Sequence, residues 1–216
     1  VDLKKAPVGS WAEYAVDMGE QKAKATWALV GRTADQVSVE MSMEGGPLKD
    51  AGGKMTVRLQ LAPDPIKAEK PVKQMVMQFA GKDPMLMPEG APVQKFEKPD
   101  PKKLVGKETV TLASGSYPAS HYRDTNDRGT IDIWISEAVP PLGLVKMTVT
   151  PKTGSPMPPV KMELAARGKD AKPVITKAPK PFDPAAMMGG GGPPPGGGAP
   201  PPKAAPPSPP APAPKK

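Results

Sequence analysis

Residues 107–150 read KETVTLASGSYPASHYRDTNDRGTIDIWISEAVPPLGLVKMTVT, and this stretch decides the fold. Residues 108–112 alternate in character and are followed by the Ser114-Gly115-Ser116 turn, so they are expected to pair with residues 119–123. The turn Asn126-Asp127-Arg128-Gly129 leads into residues 130–135. There Ile131, Ile133 and Ile135 share one side and Asp132 and Trp134 the other. Pro140-Pro141 turns the chain again, into a strand over residues 144–150. Short connections of this kind make antiparallel neighbours, because parallel strands need long crossovers.

The same period of two runs outward in both directions. Residues 10–18 place Ala12, Tyr14, Val16 and Met18 on one side, and residues 22–31 alternate after a Gly19 turn. The clearest case is residues 37–43, with Val37, Val39, Met41 and Met43 facing one way and Ser38, Glu40 and Ser42 the other. Residues 55–61 repeat it with Met55, Val57, Leu59 and Leu61. Residues 73–79 carry Met75, Met77 and Phe79 on one side. A short strand is expected at residues 93–96 and a last one at 160–166. The reading is all-β, with about ten antiparallel strands and almost no helix. With so little helix to cover the sheet, strong curvature into a half-barrel or open barrel is expected.

Composition divides the 216 residues in two. About half of the 33 prolines lie after residue 172, where the chain ends in Gly and Pro runs. The expected organisation is a β domain over residues 8–167 and a disordered, basic Pro/Gly-rich tail over 173–216. About half of the net charge of +8 belongs to that tail. The positive charge is scattered, without a recognition helix or arginine-rich run, so no nucleic-acid partner is expected. No apolar run approaches the ~20 residues of a membrane span. The absence of cysteine excludes disulfides, thiolate metal sites and cysteine nucleophiles.

The chemistry-bearing residues are few. His121 is the only histidine, in Ser-His-Tyr-Arg-Asp, with no serine elbow or paired carboxylates around it. It reads as a surface residue on a strand, and no catalytic residue is assigned. The Gly189-Gly190-Gly191-Gly192 run lacks the Lys-Ser/Thr of a phosphate loop, and no cofactor is expected. Thirteen methionines include three Met-x-Met pairs, at 41/43, 75/77 and 85/87. Thioethers are soft ligands that suit Cu(I), which makes Met85 and Met87 weak metal candidates. Methionine is also a flexible filler of apolar space. The residues expected to line an apolar groove are Met41, Met43, Met55, Leu59, Met75, Met77, Ile131 and Ile133.

Several short motifs recur in order: Gly9-Ser10-Trp11-Ala12-Glu13-Tyr14, Pro84-Met85-Leu86-Met87-Pro88 and Gly115-Ser116-Tyr117-Pro118-Ala119 with His121-Tyr122. Trp134-Ile135-Ser136, Val139-Pro140 and Gly143-Leu144-Val145-Lys146 follow. On these, residues 8–150 resemble exported envelope proteins of deltaproteobacterial type and are similar to LolA-like half-barrel periplasmic proteins. The resemblance implies a curved antiparallel sheet with an apolar groove and a location in the periplasm or cell envelope, the signal peptide removed. The expected function is non-enzymatic: binding of a lipid or lipoprotein acyl chain in the concave face. The alternative is a structural protein that docks envelope partners through sheet edges or the Pro-rich tail. A methionine-rich Cu(I)-binding protein is the lesser alternative.

Overall fold

The first strand pairs with the eleventh, and that one long-range ladder joins two meanders into a single sheet. The computed structural model describes residues 3–91 and 98–182. The first meander comprises β1 (Trp11–Met18), β2 (Gln21–Arg32), β3 (Val37–Gly45), β4 (Lys54–Leu61), β5 (Val72–Phe79) and β6 (Met85–Leu86). The second comprises β7 (Leu104–Leu112), β8 (Gly115–Asn126), β9 (Gly129–Ile135), β10 (Leu144–Pro151) and β11 (Val160–Gly168). A last short strand, β12 (Lys180–Pro181), returns to lie beside β6. The order is β12-β6-β5-β4-β3-β2-β1-β11-β10-β9-β8-β7, antiparallel throughout except for the β12–β6 pair.

The alternation read from the sequence becomes register. Residues directly opposite each other share a face. One row runs Leu164–Tyr14–Ala25–Met43–Met55–Phe79 across six strands. The next runs Ala12–Trp27–Met41–Val57–Met77–Met85. A third runs Leu29–Val39–Leu59–Met75. Two apolar clusters include members of these rows, one around Tyr14, Leu164, Tyr117 and Val145, the other around Leu29, Val37, Val39 and Leu61. The Tyr14 hydroxyl, buried in the first, donates to Leu144 O at 3.0 Å, and burial pushes its pKa upward. Leu3, Ala6 and Leu142 pack onto the second cluster and cover that end of the face. Arg32 holds the cover by donating to the carbonyls of Leu3 and Ala6.

The strongly curved half-barrel or open barrel expected from the sequence is corrected. The sheet has two separate edges, β7 and β12, and neither closes nor curls strongly. The lack of covering helices had pointed to curvature. Instead part of one face stays uncovered and the other is crossed by a strap.

That strap lies beyond residue 167, where the β domain was expected to end. One compact unit spans Val1–Phe182, which takes in residues 173–182. After β11 the chain turns back over the second face. Trp11 Nε1 donates to Asp170 Oδ1 at 2.7 Å, and Ala171 N donates to Gly9 O at 2.9 Å. Gly9 has φ +90°, and a Cβ there would lie 2.5 Å from Lys169 O, so only glycine admits the strap this closely. The strap then crosses β3 and β4 and ends as β12. The strand expected at residues 93–96 and the tail from residue 183 lie outside the described residues.

A candidate apolar binding face

Six of the eight expected lining residues come together. Met41 and Met43 on β3, Met55 and Leu59 on β4, and Met75 and Met77 on β5 occupy adjacent positions of the three rows. Met43 faces Met55, and Met41 faces Val57, which faces Met77. Leu59 is buried under the N-terminal cover and is part of the core. The five methionines and Phe79 are half-buried. Trp27 on β2 stands in the Met41–Met77 row and is also half-buried. The result is a methionine-rich strip that packs against the core and keeps part of its surface accessible.

Ile131 and Ile133 are on the same face but in a different patch. Ile133 faces Met147, Met147 faces Met162, and Met162 faces Val16. Four strands, β2, β1, β11 and β10, lie between β3 and β9. The two patches therefore belong to different meanders of the sheet.

Other residues missed by sequence reasoning lie on the second face. Glu40 had read as water-facing, and by parity it does face away from Met41. Yet it is only 2% exposed, because the strap lies over it. Its carboxylate accepts from Arg58 Nη2 at 2.5 Å and Nε at 3.0 Å, from Val174 N at 2.6 Å and from Ile175 N at 3.1 Å. The Val174-Ile175 pair within a Lys- and Pro-rich run was the available signal.

His121 is likewise not a surface residue. It is 9% exposed and stacks on Trp134, ring centroids 4.3 Å apart and 11° from parallel. Its Nε2 lies 2.5 Å from Asp132 Oδ1, and Arg123 Nε donates to the same oxygen at 2.8 Å. Trp134 Nε1 donates to Glu108. This is a closed network whose members satisfy one another, a structural device that fixes β7, β8 and β9 together. Among the described residues no group of three or more His, Cys, Asp or Glu side chains is placed to hold a metal ion. No described helix is long and apolar enough to cross a membrane.

No family model matches the sequence, and no curated protein matches it. Among solved structures, the hypothetical protein CT021 from Chlamydia trachomatis is similar over 83% of this chain and 96% of its own, with 15% identity and a TM-score of 0.51. A Parabacteroides distasonis protein described as a "putative lipoprotein" matches over 76% of this chain and 96% of its own, with 12% identity and a TM-score of 0.38. The first likeness is one of fold alone, and the second is too loose to carry any argument. The class defined is an all-β protein built on one open sheet with a methionine-rich face, and the comparisons assign no family to it.

Proposed function

We propose that the protein is a non-enzymatic binder of an apolar ligand, an acyl chain of a lipid or lipoprotein, held along the strip of Met41, Met43, Met55, Met75 and Met77. The observation that carries the reading is the row Trp27–Met41–Val57–Met77 beside the row Met43–Met55–Phe79, apolar across four strands and half-buried at its methionines. The reading rests on methionines that are neither fully buried nor fully exposed, so that a ligand could reach them. Methionine suits it, because an unbranched, polarizable side chain repacks around chains of varied shape. The face is closed at one end by Leu3, Ala6 and Leu142, which gives a ligand a stop. A location in the cell envelope is part of the proposal and rests on the sequence resemblance.

The test is uptake of a fluorescent fatty acid by the delipidated full-length chain. Saturable binding is expected, and Met41→Lys or Met77→Lys should weaken it on the order of tenfold, the effect of losing one buried apolar contact. Absence of uptake, together with no co-purified lipid in native mass spectrometry, overturns the reading.

A second reading has its own observation. Edge strand β7 exposes Leu104 and Val105, 42% and 55% accessible, beside a row of backbone groups that no other described strand pairs. An edge of this kind accepts a partner strand. Under this reading the protein docks an envelope partner through β7 or the Pro-rich tail. Val105→Lys should then abolish partner capture and leave fatty-acid uptake intact.

A further inference from the structure

Two of the three Met-x-Met pairs are brought face to face. In the β5–β6 ladder Met77 lies directly opposite Met85. One step along, Met87 N donates to Met75 O at 2.9 Å, the bond that continues the same register. Residues two apart on a strand share a face, and directly opposed residues share it too. Met75, Met77, Met85 and Met87 therefore stand at the corners of one rectangle. Its sides are about 5 Å across the strands and about 7 Å along them, from ladder geometry. Each corner is then about 4 Å from the centre, within reach of a thioether on a side chain with three rotatable bonds.

The rectangle is held from outside. β6 has two residues, too few to fix itself on a sheet edge. The strap clamps it: Lys177 Nζ lies 3.2 Å from Asp83 Oδ1, Lys180 Nζ lies 2.8 Å from Asp83 Oδ2, and Lys180 N donates to Pro84 O at 2.9 Å. β12 then pairs with Met85 and Leu86. Two of its corners, Met75 and Met87, border open space. An open depression of about 870 Å³ is lined by Met75 and Met87 together with Val72, Gln74 and Leu86. Met85 is buried, while Met75, Met77 and Met87 are half-buried.

We propose that Met75, Met77, Met85 and Met87 form a thioether site for Cu(I). Four neutral sulfur donors select a soft monovalent cation over Zn(II), Mg(II) or Ca(II), which take nitrogen, thiolate or oxygen ligands. The remaining pair, Met41 and Met43, faces Val57 and Met55 and has no second Met-x-Met opposite it. It lies outside the site.

The test uses the full-length chain with its methionine ε-methyl groups labelled with carbon-13, titrated anaerobically with Cu(I) and, as a redox-silent surrogate, Ag(I). One ion per chain is expected, with shifts at the methyls of Met75, Met77, Met85 and Met87. In competition with a chromogenic Cu(I) chelator, Met85→Leu or Met87→Leu should lower affinity at least about tenfold, the scale at which even outer-shell changes act. Met157→Leu, at an exposed position, should leave it unchanged. Because a leucine variant can fail to fold, the wild-type methyl shifts stand as an independent readout. No shift at equimolar ion, or shifts confined to other methionines, overturns the proposal.

Discussion

Glu40 and Arg58 face each other across β3 and β4, Oε1 2.5 Å from Nη2, and the same carboxylate accepts the backbone N–H groups of Val174 and Ile175. One buried charge thus ties two strands to a strap more than 130 residues away. Replacing it by alanine removes the acceptor of two strap N–H groups and leaves Arg58 with only the Ile175 carbonyl. Glu40→Ala should cost about 3 kcal/mol, the scale for breaking a buried pair by removing one partner. Urea denaturation checks this, and a loss below about 0.5 kcal/mol, the scale of an ordinary surface substitution, counts against the strap as part of the folded unit.

Ile175 is the strap's apolar anchor, 1% exposed. Ile175→Ala should cost about 2–4 kcal/mol, as other large-to-small changes in packed positions do. It should also expose residues 169–181 to limited proteolysis while the β1–β11 ladder stays protected. Equal protease resistance in wild type and variant would contradict the packing described.

Asp132 sets an acid-side dependence. Burial opposes its charge, but the hydrogen bonds from Arg123 and His121 prevail and hold its carboxyl below the ordinary value of 3.8. A depressed folded-state pKa contributes stability that is present above the unfolded value and lost as pH falls through the folded one. Asp64, Asp83 and Asp170 are shifted in the same direction, so the informative quantity is a difference. Between pH 5 and pH 2, Asp132→Asn should lose less stability than wild type. Parallel urea midpoints for the two proteins across that range would show that Asp132 contributes nothing.

The strands and their faces were legible because period two is written into residues 37–43 and 55–61, and register preserved it. Pairing was less legible. The β1–β11 ladder joins residues about 150 apart, and nothing local in Trp11–Met18 specifies that partner. Curvature was misread because a bare sheet face and a curled sheet leave the same trace, a lack of amphipathic helix. The strap was hidden by composition: Val174 and Ile175 sit among lysines and prolines, and their role depends on a glutamate that parity alone assigns to water. The methionine strip was found as types and positions, but the separation of Ile131 and Ile133 from it is a matter of strand order. The meeting of Met75 and Met77 with Met85 and Met87 likewise emerges only from the β5–β6 pairing.

Trp27 offers the most direct test of the proposed acyl-chain site, because it is the tryptophan that stands in the Met41–Met77 row. It stands between Ala12 and Met41, whereas Trp11 pairs with Ala28 on the other face and Trp134 pairs with Lys146, which leads through Glu163 to Ala15. A fatty acid brominated along its chain quenches tryptophan only on contact. The account predicts strong, saturable quenching in a Trp11→Phe/Trp134→Phe variant that keeps Trp27, and none in Trp27→Phe. Quenching that survives Trp27→Phe, or no quenching of Trp27 at saturating fatty acid, would contradict it.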